Sequence, residues 1–255
     1  MVDNKRTIKL IISYDGTDFC GWQKQQSDRT IQGELEPCLS TMTTEDICVH
    51  SAGRTDAGVH AYGMVAHFNC TSKISCKILQ RGANSMLPGS IRVLDVQEVD
   101  GTFHARYLAI GKKYQYFIFT GTVQPPFKRL TTLHITKPLN LKRMANCLDA
   151  ITGEHDFSSF ENSGSRDKSI TTGRGATRTI YSATLIQAKE KLLILEFTGD
   201  GFLKAMVRNL VGTILEVGKE KLTEQEFIQI LQAQDRTKAR ETAPAHGLAL
   251  IEVYY

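Results

Sequence analysis

Apolar and polar positions alternate with a period of two over the first strand-like run. Ile8, Leu10, Ile12 and Tyr14 interleave with Lys9 and Ser13, which predicts a strand closed by the Asp15-Gly16 turn. The period then lengthens: Ile31, Leu35, Leu39 and Met42 recur at helical spacing, predicting a helix from about Thr30 to Met42. Pro37 falls inside it and removes a backbone hydrogen bond at a cost of about 3 kcal/mol, so a kink or break is expected there. Two short runs, Ile47 to Val49 and Met64 to Phe68, read as strands on either side of a loop. In the second, Met64, Ala66 and Phe68 alternate with Val65 and His67, as in a half-buried strand. Ser75 opens a short helix through Leu79, Ala83 and Met86, stopped by Pro88-Gly89, and Ile91 to Val99 is a further strand.

Residues 111–119 interleave Lys112 and Lys113 with Tyr114, Tyr116, Phe117 and Phe119. This pattern fits an RNA-contacting strand as well as an edge strand whose lysines face water. Residues 121–139 hold Pro125-Pro126 and Pro138 without periodicity and predict a loop joining two halves, 1–120 and 140–255. Asn140 caps a helix carrying Leu141, Met144, Leu148 and Ile151. Residues 163–177, with three glycines and Arg166, Lys168 and Arg174, predict a mobile basic loop. Arg178 to Gln187 and Lys191 to Thr198 form a hairpin pattern. The clearest helix follows, with an unbroken stripe of Leu203, Met206, Val207, Leu210, Val211, Ile214 and Val217. Arg208 lies about 140° from Leu203 on that wheel, off the stripe. Thr223 with Glu226 forms a capping box for a last helix, and Leu248 to Tyr254 reads as the final strand.

Composition adds limits. The chain has 255 residues, 41% apolar and 23% charged, enough for one large or two small domains with ample core. A net charge of +4 tolerates a polyanionic partner without demanding one. The six cysteines show neither CxxC pairs nor zinc-like spacing, and read as reduced, mostly buried thiols. The seven histidines give no metal-ligand spacing either. Residues 1–9 are polar, and no run approaches the ~20 apolar residues of a membrane span, so a cytoplasmic protein is expected.

The chemistry concentrates in Ser51 to Ala61. Gly53 and Gly58 permit tight turns, and small side chains keep the loop out of the core. Arg54 and Asp56 stand two residues apart: either an active site, or a rigid turn closed by a local ion pair. Gly53-Arg54-Thr55-Asp56-Ala57-Gly58-Val59-His60-Ala61 resembles the signature of the TruA family of tRNA pseudouridine synthases. Residues 14–23, Phe103-His104-Ala105-Arg106 and the stretch from Phe202 to Asn209 resemble its other signatures.

The resemblance implies an α+β pseudouridine synthase fold of two sandwich-like halves with mostly antiparallel sheets and an active cleft between them. It implies Asp56 as catalytic carboxylate, Arg208 as its ionic partner and Tyr114 as the ring against the target base. Arg54, Phe103, His104, Ala105 and Arg106 would contact tRNA. The implied substrate is the anticodon stem-loop at uridines 38 to 40, the implied assembly a homodimer, and neither cofactor nor metal is needed. Two rivals are a non-catalytic tRNA-binding protein and a hydrolase. The hydrolase would want a second carboxylate, a histidine partner or a metal, and no such motif is visible.

Overall fold

The structure, a computed structural model, describes residues 5–162, 164 and 173–255. Most of the basic loop expected over 163–177 lies outside these. The chain divides into two compact units, one reaching to Ile110 and including Ala249–Tyr255, the other spanning Gly111–Leu248.

The first unit contains β1 (Arg6–Tyr14), α1 (Ile31–Thr43), β2 (His50–Ser51), β3 (His60–Cys70), α2 (Cys76–Met86) and β4 (Ile91–Val99). β1 is central, antiparallel to β3 on one side and to β4 on the other, with Ile8 opposite both Phe68 and Glu98. Ile8, Leu10, Ile12 and Tyr14 are buried, as their alternation requires. They share the core with Ile31, Leu35 and Leu39 of α1 and Leu79 and Ala83 of α2. Each fully buried Leu or Ile contributes about 1.5–3 kcal/mol relative to exposure. This unit is what holds the loop of Arg54 and Asp56.

Three expectations change here. α1 runs without a break across Pro37, which removes the break from the two alternatives, because burial of Ile31, Leu35, Cys38 and Leu39 on both sides of it outweighs one missing hydrogen bond. Ile47 to Val49 is not a strand. The backbone begins to pair with β3 at His50 and Ser51, while the Val49 amide is taken instead by the Glu36 carboxylate at 3.1 Å. β3 is not half-buried: Val65 and His67 are covered as fully as Met64 and Phe68.

The second unit contains β5 (Gly111–Phe119), β6 (Leu133–His134), α3 (Leu141–Ala150), β7 (Gly153–Asp156), β8 (Thr177–Ala188), β9 (Leu192–Gly199), α4 (Met206–Gly218) and α5 (Glu224–Gln232). Its strands run β5-β9-β8-β7, all antiparallel, with β6 added parallel to β5. The β8–β9 hairpin turns at Glu190 and Lys191, both near φ +60°, the geometry a right-twisted two-residue turn needs even without glycine. α5 opens on the capping box of Thr223 and Glu226. Residues 121–139 do not join two halves: Leu133 and His134 pair with Ile118 and Phe119, and the boundary falls earlier, at Ile110.

α4 starts at Met206, later than the apolar stripe suggests. Ala205 takes φ +59°, a left-handed turn that leaves Leu203 outside the helix. The final strand, β10 (Leu248–Tyr254), brings Ala249 and Leu250 alongside His60 and Ala61 of β3, in parallel. A C-terminal segment thus completes the sheet of the first unit, something local sequence cannot announce.

Candidate active site

In the first unit the loop between β2 and β3 is held by its backbone. Trp22 N–H donates to the Thr55 carbonyl at 3.1 Å, Gly58 N–H to Phe19 O at 3.2 Å, and Val59 N–H to Asp56 O at 3.2 Å. Thr55 Oγ1 meets the Tyr14 hydroxyl at 2.8 Å in a buried contact, and Gly16 N–H donates to His60 Nδ1 at 3.1 Å. Gly21, at φ +87°, brings the chain against this loop so closely that a Cβ there would lie 2.5 Å from the Thr55 carbonyl oxygen. Thr55, Val59 and His60 are buried, whereas Asp56 is half-buried and Arg54 exposed. Arg54 makes no hydrogen bond or ion pair among the described residues, so no local Arg54–Asp56 pair closes the turn. The carboxylate stands on a rigid frame built by other groups.

That frame is fastened from behind. The Glu36 carboxylate, buried in α1, accepts from Gln32 Nε2 at 2.9 Å, from Val49 N–H at 3.1 Å and from Lys24 Nζ at 3.0 Å. Gln32 Oε1 in turn accepts from Gln23 Nε2 and Lys24 N–H. One network, buried at Gln32 and Glu36, therefore ties the residues after Trp22 to the residues before β2.

The Phe103-to-Arg106 segment packs elsewhere on β3. Ala105 N–H donates to His67 Nδ1 at 3.2 Å and Tyr255 OH donates to Ala105 O at 2.6 Å. Ala105 is fully buried and offers no surface. The Phe103 ring lies edge-on to His67 and tilted against Tyr255, with the Lys9 ammonium 5.7 and 5.1 Å from the Phe103 and Tyr255 ring centres. His104 is half-buried, with its ring stacked on exposed Tyr107 at 4.0 Å, and Arg106 is exposed. Of the four residues, Ala105 is buried, Phe103 and His104 are half-buried and Arg106 is exposed.

His67 was not anticipated as more than a strand residue. Its burial, then the neighbouring His104 and His50 rings, bring its pKa down to about 4 from 6.5. Between those values the unfolded chain binds the proton that the folded chain refuses, so stability falls as pH drops from 6.5 toward 4. Above 6.5 this group leaves stability unchanged. His67→Gln keeps an acceptor but cannot titrate, so its urea midpoint should shift less than wild type's between pH 7 and pH 5. Equal shifts in the two proteins would show that His67 does not set this dependence.

In the second unit Tyr114 shares the buried face of β5 with Tyr116 and Ile118, its ring edge-on to Phe202 at 5.1 Å. Tyr116 OH donates to Pro244 O at 2.8 Å, and burial raises its pKa, which leaves it a structural phenol. Arg208 is half-buried on α4, and its Nε donates to the Ala243 carbonyl at 2.9 Å. The sequence reading missed Asn209, which is fully buried beside it. The signal was present: Asn209 and Thr213 lie four apart next to the apolar stripe, two polar groups that burial obliges to find partners.

Among the described residues no cluster of three or more His, Cys, Asp or Glu could hold a metal ion. No helix among them is long and apolar enough to cross a membrane. The cysteines divide evenly rather than being mostly buried: Cys38, Cys70 and Cys147 are inside, Cys76 is intermediate, and Cys20 and Cys48 are exposed.

Residues 10–108 and 148–255 match the family model described as tRNA pseudouridine synthase. A protein of Desulfotalea psychrophila, tRNA pseudouridine synthase A 1, is 54% identical over 250 residues, covering 98% of this chain and 100% of its own. The tRNA pseudouridine synthase A of Ligilactobacillus salivarius is 43% identical over 251 residues, covering 97% of this chain and 96% of its own. That of Acetivibrio thermocellus is 42% identical over 250 residues, covering 98% and 100%.

Proposed function

The chain belongs to the tRNA pseudouridine synthase family, isomerases that convert uridine to pseudouridine in tRNA, and from that membership we propose that it acts on uridines 38, 39 and 40 of the anticodon stem-loop with Asp56 as the catalytic carboxylate. The observation that supports this most is the half-buried carboxylate on a loop pinned through its backbone by Phe19 and Trp22 and through the side chains of Thr55 and His60 by Tyr14 and Gly16, with Arg54 taking no part. Such a frame holds a reacting group in place.

Isomerisation breaks the N1–C1′ bond, turns the base and joins C5 to C1′. The atoms balance without oxidant, phosphate or water, so the reaction itself requires no cofactor. The uridine leaves the stack to reach the loop. Asp56 engages it at C1′, at C6 or as a base on the ribose, with Arg208 the cation that keeps it ionised. Tyr114 is the ring for the target base and the relay for the C5 proton. Arg54, His104 and Arg106 hold the phosphates around the everted nucleotide. The working form is a cytoplasmic homodimer.

The test is incubation of purified protein with unmodified tRNA, without added cofactor, followed by mapping of pseudouridine. Modification is expected at one or more of positions 38 to 40. Tight binding with all three left as uridine, by protein that is folded, would overturn the proposal.

A further inference from the structure

Arg208 does not orient itself. Its Nε is fixed by the Ala243 carbonyl at 2.9 Å, and the Ala243 N–H returns a hydrogen bond to Arg208 O at 3.1 Å. The direction of the guanidinium therefore depends on where the 236–243 segment lies along α4.

That segment is fastened by a polar network the catalytic reading does not use. Asn209, fully buried, donates through Nδ2 to Phe160 O at 2.8 Å. Its Oδ1 accepts from Thr242 Oγ1 at 2.6 Å and from Arg236 Nη2 at 3.1 Å. Arg236 Nη2 also donates to Thr242 Oγ1 at 3.1 Å, while Nη1 reaches the carbonyls of Ala239 and Arg240 at 3.4 and 3.3 Å. One turn along α4, Thr213 Oγ1 accepts from Arg240 N–H at 3.2 Å. Gly212 leaves room for the Glu241 carbonyl, which a Cβ there would strike.

Every acceptor of Arg236 is neutral, and among the described residues it forms no ion pair. A half-buried cation held by dipoles alone is a poor source of stability, because desolvation offsets most of what the hydrogen bonds contribute. What a planar fork does well is fix several acceptors at once in one geometry.

We infer that Arg236, acting through Asn209 and Thr242, is a positioning residue that aims Arg208 by setting the Ala243 carbonyl. The inference rests on the proposed role of Arg208 in the reaction, but the aiming itself can be tested apart from it. Lysine at 236 presents its three N–H groups from one nitrogen and cannot span acceptors that Arg236 reaches from two.

In Arg236→Lys, the Arg208 Nε–H resonance, identified by its loss in Arg208→Lys, should exchange with solvent about ten-fold faster, while amides in the core of α4 keep their protection. Turnover should fall by about 30- to 100-fold, with tRNA affinity within about two-fold, as for a reacting group displaced by about an ångström. In an Arg208→Lys background the second substitution should cost nothing further, whereas general destabilisation would multiply the losses. Thr242→Val, nearly isosteric, removes the hydroxyl between Arg236 and Asn209 and should act in the same direction should Arg236→Lys fold poorly.

Unchanged Nε–H exchange in the folded variants, or multiplicative losses, would refute the positioning role. A wild-type protein that makes no pseudouridine would instead refute the catalytic reading, leaving the exchange experiment to decide the geometry.

Discussion

Replacing Asp56 by alanine is expected to lower pseudouridine formation by about 10⁴-fold or more, the scale seen when a reacting side chain is removed. That is at least about 5.5 kcal/mol of transition-state stabilisation at 1.36 kcal/mol per tenfold. The fold should survive it. The loop is anchored through backbone groups of Thr55, Asp56 and Gly58 and through the side chains of Thr55 and His60. Alanine at 56 keeps the carbonyl that receives the Val59 N–H. Affinity for tRNA should stay within about threefold, since a carboxylate contributes nothing to holding phosphates. Single-turnover rates and tRNA titrations on the same preparation, with thermal unfolding as control, read all three quantities. Turnover within tenfold of wild type, or a loss of affinity as large as the loss of rate, would remove Asp56 from the chemistry.

The second large effect is predicted at Gly21, which carries no chemistry at all. Its φ of +87° is costly for alanine, by about 1–2 kcal/mol. The new Cβ would also sit 2.5 Å from Thr55 O and 3.1 Å from the Asp56 carbonyl carbon. Neither neighbour is the end of a flexible side chain: both are backbone of the loop itself, so the loop must move. Gly21→Ala should therefore reduce turnover by about 100-fold, as for a reacting group displaced by about an ångström, and lower stability by roughly 2–4 kcal/mol. Denaturant unfolding together with single-turnover rates at a temperature where the variant is fully folded separates the two losses. A variant that unfolds more easily yet turns over normally when folded would show that contact between Gly21 and the loop does not set the position of Asp56.

Both predictions concern residues that stood out in the sequence, but for different reasons. Asp56 stood out beside Arg54 in a loop of glycines and alanines, which by itself fitted an active site or a rigid turn, and its proposed role came from the resemblance of that loop to a family signature. Gly21 was legible only as part of a signature, and its role needed the facing backbone. Other elements were readable by period alone: β1, α2, α5 with its capping box, and the β8–β9 hairpin fall where alternation, helical spacing and turn residues place them. Pro37 does not break α1 because one missing hydrogen bond is local, while the burial that carries the helix past it is not. Ile47 to Val49 misled because a β-prone run needs a partner strand, and Glu36 took the amide at Val49 instead. In the stretch from Phe103 to Arg106, Ala105 is buried with its amide on His67 and its carbonyl under Tyr255, and the Phe103 ring packs against both, a use visible only when β3 and the C-terminus lie together.

The chain alone determined its periodic elements, its family, and a short list of chemical side chains, since these depend on neighbours a few residues apart. Tertiary structure decided which of those side chains are presented and which are spent on packing. It returned the last strand to the first unit and fastened Arg236, Asn209 and Thr242 into one network across 33 residues. The reason is physical: a hydrogen bond or a covered face is a property of two segments at once, and sequence spacing records only one.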